Sequence, residues 1–89
     1  MTEREVEIVN RLGLHARAAA KLVHTSGAFQ SRVTVIKDGE EVDAKSILGI
    51  LLLAAGQGST LTIRCLGPDE EAALHAVAAL ITNRFDEES

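Results

Sequence analysis

The chain has no tryptophan and no tyrosine, and its 89 residues contain two phenylalanines, one cysteine and one proline. Without large aromatics the core must be aliphatic, and the many alanines suit helices lying close on a sheet. Stacking platforms for nucleic acid are nearly absent and the net charge is −4, so no nucleic-acid partner is expected. The lone Cys65 excludes an intramolecular disulfide framework and fits a reducing cytoplasm. No apolar run reaches the ~20 residues a membrane-spanning helix needs. The charged start, Met1-Thr2-Glu3-Arg4-Glu5, is unlike a signal peptide. These absences point to a cytoplasmic chain with no membrane partner, folded as a single domain over residues 1–89, in which a modest core demands efficient packing.

A more local absence carries more information. Between Ile8 and Lys37 there is no aspartate or glutamate, while Arg11, Arg17, Lys21, Arg32 and Lys37 all fall there. Such a basic patch on an acidic protein either steers an acidic partner to one face or is a solvated helix surface.

Within that window the stretch Asn10-Arg11-Leu12-Gly13-Leu14-His15-Ala16-Arg17-Ala18-Ala19-Ala20-Lys21 ends a strand, turns at a glycine and opens a helix. The alanine-rich run predicts about three helical turns from His15, with Ser26-Gly27 as the stop. The first N–H groups of a helix lack internal partners and favour an anion over a protonated imidazole. A neutral His15 there is a nucleophile beside a phosphate cradle, and the Arg17 guanidinium suits phosphate oxygens. Read alone, the five residues Gly13 to Arg17 are equally a histidine N-cap followed by a solvated arginine. No serine or cysteine nucleophile stands nearby, and His15 with His24 lacks supporting acids or cysteines for a metal, so neither metal nor cofactor is expected.

Gly13-Leu14-His15-Ala16-Arg17 resembles the active-site signature of HPr, the histidine-containing phosphocarrier family of the phosphoenolpyruvate-dependent phosphotransferase system. Lys45-Ser46-Ile47-Leu48-Gly49-Ile50 resembles that family's regulatory-serine segment, and the likeness in length and element order covers nearly the whole chain. The resemblance implies that His15 accepts a phosphoryl group from enzyme I and passes it to a downstream enzyme IIA-type acceptor. Arg17 would steady the phosphate. It implies a stoichiometric carrier, not an enzyme with its own turnover. Ser46 would be phosphorylated by an HPr kinase/phosphorylase, adding negative charge beside the docking surface and opposing an acidic donor. That surface would use Leu48 and Leu51, where the family commonly has methionines, with Lys21, His24 and Lys45 as further partner contacts. A monomer is the default for such a carrier. Ala18 stands where the family usually has proline. Gly67 to Ala72 and Phe85 to Glu88 look somewhat like the nitrogen-related branch, which keeps open a regulatory interaction protein switched by phosphorylation.

The remaining pattern predicts an α+β open-faced β-sandwich, ordered β-α-β-β-α-β-α, with helices on one face of an antiparallel sheet. The family likeness implies strand order 1-4-2-3. Alternation marks Glu5 to Val9 as a strand with Val6 and Ile8 inward. Asp38-Gly39 signals a hairpin between Ser31–Lys37 and Glu40–Ala44. Ser46 is a good N-cap for a helix from Ile47 to about Ala55, whose leucines are apolar on more than one side. They are either all core or partly exposed for docking. Ala16, Ala19, Ala20, Val23 and Gly27 are expected to form the packing face of the first helix, with His24 complementing its negative end. Leu61, Ile63 and Cys65 should face inward from a fourth strand. A last helix follows Pro68, Phe85 anchors its end, and Asp86 to Ser89 reads as a polar tail.

Overall fold

The computed structural model describes all residues, 1–89. Strand β1 is Thr2–Glu7, helix α1 Ala16–Gly27, β2 Arg32–Lys37, β3 Glu40–Asp43, α2 Ile47–Leu52, β4 Thr60–Leu66 and α3 Glu70–Thr82; a short 3-10-type turn, Arg84–Asp86, follows. The sheet is antiparallel with order β1-β4-β2-β3. Val6 pairs with Leu61, Val33 with Cys65 and Val35 with Ile63, so every second residue of β4 and β2 adds to one apolar layer under the helices. The other face stays open. There Arg64 bridges Glu3 and Glu41 at 2.7 and 3.3 Å, an exposed network worth little to stability.

The hairpin turn shows why Asp38-Gly39 was informative: φ is +52° and +84°, the paired left-handed geometry of a two-residue turn that matches strand twist. Cys65 is completely buried, and burial pushes its thiol above the ordinary value, as expected of an inert core residue.

Three expectations need correction. α1 buries Ala18, Ala19, Leu22 and Ser26, while Ala16, Ala20 and Gly27 are exposed, so the helix is rotated from the predicted phase. With alanine at four of its first five positions, the sequence carries almost no contrast by which to set that phase. α2 stops at Leu52 instead of near Ala55. Its last turn tightens through Leu53 N–H to Ile50 O and Ala54 N–H to Leu51 O, then Ala54 turns left-handed at φ +50°. That early stop frees the Ala55 carbonyl to receive the Leu14 N–H at 2.9 Å, a contact between distant segments that no local propensity encodes.

The third correction is the C-terminus. Arg84, Phe85 and Asp86 all have positive φ, +59°, +53° and +63°. Left-handed backbone costs about 1–2 kcal/mol for each side-chain-bearing residue, so the turn needs compensation. Complete burial of Phe85 returns about 2–3 kcal/mol. Hydrogen bonds from Lys21 Nζ to Phe85 O at 2.7 Å and from Asn83 Nδ2 to Asp86 at 2.9 Å add about 1 kcal/mol each. The two sides are of the same order. Phe85 is thus the anchor expected, but Asp86 and Glu87 after it belong to a packed turn rather than a free tail.

Candidate phosphoryl-acceptor site

His15 is the residue just before α1, with extended backbone (φ −75°, ψ 177°). Its Nδ1 accepts a hydrogen bond from the Arg17 N–H at 3.3 Å, satisfying one of the unpaired donors of the helix start. Its backbone carbonyl takes the Ala19 N–H at 2.8 Å. Imidazole is an uncommon cap, and here it aims one ring nitrogen at the positive end of a twelve-residue helix.

The loop before it is clamped. Gly13 has φ +66°, and a Cβ there would lie 2.6 Å from the Ala55 carbonyl oxygen and 2.8 Å from Gly56 Cα. Glycine is therefore required twice over, by backbone angle and by space. Asn10 is fully buried; its Nδ2 donates to Gly13 O at 2.9 Å and to Glu87 Oε1 at 3.0 Å.

Glu87 also meets the histidine, its Oε2 contacting His15 Nε2. The side chain of His15 is 23 % exposed and that of Glu87 12 %, so the ring is recessed yet reachable. Burial pushes the Glu87 carboxyl up, but the hydrogen bonds from His15 and Asn10 and the nearby positive charge of Arg17 outweigh it, leaving the group below its ordinary 4.5.

Arg17, the second residue of α1, is exposed and lines a shallow groove with Lys21, His24 and Asp86. Lys21 is held to the Phe85 carbonyl, and Lys45 reaches the Phe29 carbonyl at 2.8 Å. Both cations are engaged within the chain. Ser46 caps α2, its Oγ accepting from Gly49 N–H at 3.3 Å, and is itself exposed. Leu48 is 65 % exposed and Leu51 36 %; Ile47, Leu52 and Leu12 are also exposed, whereas Ile50 and Leu53 are buried. Only two of the α2 segment's six large apolar residues are core. Because Leu14 and Gly13 contact Ala55 and Gly56 directly after α2, this apolar patch adjoins the histidine loop. No three histidine, cysteine or acidic side chains converge to hold a metal ion, and no helix is long and apolar enough to cross a membrane.

The sequence singles out His15, Arg17 and Ser46 as candidates, and the structure adds Asn10 and Glu87 around the histidine. An asparagine three residues before a glycine, and one phenylalanine inside an otherwise polar C-terminus, are the sequence signals that could have found them.

The family profile described as "PTS HPr component phosphorylation site" matches residues 2–83. The chain belongs to the HPr family. It is 54 % identical over 87 residues to the phosphocarrier protein HPr of Cupriavidus necator, covering 98 % of both chains. Similarity to the phosphocarrier protein NPr of Shewanella violacea is 45 % over 87 residues, with 98 % of this chain and 96 % of that one covered. The crystal structure of HPr from Thermoanaerobacter tengcongensis superposes with a TM-score of 0.96 at 45 % identity, each chain fully covered. The open-faced sheet with order 1-4-2-3 is thus the HPr fold, and a phosphocarrier role follows from membership.

Proposed function

We propose that this HPr-family chain, acting as one unit over residues 1–89, takes a phosphoryl group from enzyme I on Nδ1 of His15 and hands it to an enzyme IIA-type acceptor. The observation that carries this is the orientation of the ring: Nδ1 faces the first-turn amide of α1 while Nε2 is occupied by Glu87. A phosphoryl group on Nδ1 would displace the weak cap and meet the Arg17 N–H, with the exposed Arg17 guanidinium free to close on its oxygens. A low-energy neutral cap is exchanged for charge-assisted bonds, so the site is better satisfied when loaded. Nitrogen is a reversible phosphoryl acceptor, suited to passing the group on.

The apolar surface of Leu48 and Leu51, with Ile47 and Leu52, is the docking face, and the basic residues Arg17, Lys21, His24 and Lys45 steer acidic partners onto it. The carrier acts as a monomer that presents this single face to successive partners, in the cytoplasm. Ser46 is a regulatory site for an HPr kinase/phosphorylase: a phosphate next to Ile47 and Leu48 would place nearly two negative charges on the docking face and repel an acidic donor.

Mass spectrometry after incubation with enzyme I, phosphoenolpyruvate and magnesium tests the central claim. The native chain should gain one acid-labile phosphate and His15→Ala none. Absence of phosphate on the native chain, with an enzyme I shown to be active on another carrier, would reject it. Likeness to an NPr favours, as a second reading, delivery to a nitrogen-branch acceptor. Presenting loaded carrier to sugar-branch and nitrogen-branch acceptors in competition separates the two by transfer rate.

A further inference from the structure

We propose that Glu87 is the positioning residue of the acceptor histidine: its carboxylate keeps the ring proton on Nε2, so that Nδ1 is the nucleophile throughout the transfer cycle. This rests on His15 being the acceptor, as proposed above.

The contact is built by the fold. Glu87 lies 72 residues from His15 in sequence and is delivered by the left-handed turn Arg84–Asp86. Complete burial of Phe85 fixes that turn from below, and Lys21 Nζ on α1 fixes it from the side through the Phe85 carbonyl. Backbone bonds from Asp86 N–H to Asn83 O at 3.0 Å and from Glu87 N–H to Arg84 O at 2.9 Å close it. Both carboxylate oxygens are used, Oε2 on the ring and Oε1 on Asn10, the residue that also holds the carbonyl of Gly13. One side chain therefore orients both the imidazole and the loop that carries it.

The chemistry fixes the tautomer from two sides. An ionised carboxylate only accepts hydrogen bonds, so the nitrogen against it must bear the proton. An amide N–H only donates, so the nitrogen facing Arg17 must offer its lone pair. Both statements describe the same neutral imidazole, with hydrogen on Nε2 and the pair on Nδ1.

In the transfer the Nδ1 pair attacks phosphorus, the Nδ1–P bond forms, and the donor's bond to phosphorus breaks with its electron pair returning to the donor atom. The ring gains positive charge, which the carboxylate offsets across the Nε2–H bond. Onward transfer reverses this: the Nδ1–P bond breaks, its pair returns to Nδ1, and the ring is neutral with the same proton in place. No proton crosses the site in either direction.

The test uses the full chain with Glu87→Ala and Glu87→Gln. Two-bond proton–nitrogen correlation spectra, recorded at about pH 9 where a neutral ring is the ordinary form, read the tautomer directly. The native chain should show the Nε2–H form alone, Glu87→Gln should retain it through its amide oxygen, and Glu87→Ala should show a tautomer mixture. The rate of phosphoryl uptake from enzyme I should fall about tenfold or more in Glu87→Ala and less in Glu87→Gln, with KM for the carrier unchanged. A general loosening of structure would not move the tautomer while sparing KM. Native tautomer and native rate in Glu87→Ala would overturn the proposal. A native chain that shows the Nε2–H form but takes up no phosphate would instead overturn the acceptor role of His15.

Discussion

Two helices in this molecule begin with a side chain that caps the backbone and that we propose to be phosphorylated, and they are built differently. His15 accepts from Arg17 N–H and Ser46 from Gly49 N–H, both at 3.3 Å. His15, however, is recessed, gripped by a residue from the far end of the chain, and two residues after a glycine whose added Cβ would press on backbone. Ser46 is exposed, opens a helix of six residues, and its hydroxyl makes no contact beyond its own turn. The difference matches the two tasks. A group that must trade phosphoryl with several partners needs a fixed nucleophile, which only long-range structure supplies. A switch needs only to be reachable by a modifying enzyme, and a local cap is enough.

The largest effect should come from the histidine itself. His15→Ala should abolish phosphoryl uptake from enzyme I while leaving Ser46 available to a kinase. Ser46→Ala should leave uptake intact. Loss of uptake in Ser46→Ala would break the distinction, since it would make the serine part of the transfer site.

Gly13→Ala comes next. The added methyl meets backbone at 2.6 and 2.8 Å and must sit at φ +66°, so the variant should lose about 2–4 kcal/mol of stability in urea titration. Gly39→Ala is the control: its φ is +84°, but a Cβ there meets nothing within 4 Å, so only the backbone term of about 1 kcal/mol applies. Equal losses would mean that the histidine loop is not clamped against Ala55.

Removing the other cap is a smaller perturbation. Ser46→Ala should cost about 1 kcal/mol, the usual worth of an N-cap, whereas Ser46→Asp keeps the cap and should cost little while slowing the reaction with enzyme I. Acid separates the two ends as well. Because the Glu87 carboxyl is held below its ordinary 4.5, its contribution is fully present above that value and is lost as pH falls through the folded-state value. The Tm gap between the native chain and Glu87→Gln should therefore be widest near neutrality and close on acidification; a gap independent of pH would deny the carboxylate its charged role.

The Ser46 end could be read almost entirely from sequence, and the His15 end only by half. A serine before an apolar run is a local signal, as are a glycine and histidine opening an alanine-rich helix, and both caps were placed from residues within a few positions of each other. The strands were legible for the same reason: Val6, Val33, Leu61 and Ile63 each stand between polar neighbours, and all are buried. What escaped was non-local or without contrast. Glu87 reaches His15 through three left-handed residues, none of them glycine, and no propensity rule announces such a turn. The phase of α1 escaped because alanines do not distinguish a buried from an exposed side, so Ala16 and Ala20 were expected inside where Ala18 and Leu22 are found.

That alanine-rich first turn allows the finest test of the comparison. Ala18 is the third residue of α1, completely buried, where the family usually has proline. Its N–H belongs to the first turn, in which helix donors have no partner within the helix, so proline there removes no intrahelical bond. Proline also restricts the unfolded chain, which alone stabilises by about 0.4–1 kcal/mol when the native φ is compatible. Ala18→Pro should therefore raise stability by roughly that amount and leave phosphoryl uptake within about twofold, because the cap donor is Arg17 N–H and the grip on Nε2 comes from the other end of the chain. A large change in rate would mean that rigidity of the first turn, rather than the hold of Glu87 on the ring, sets the nucleophile.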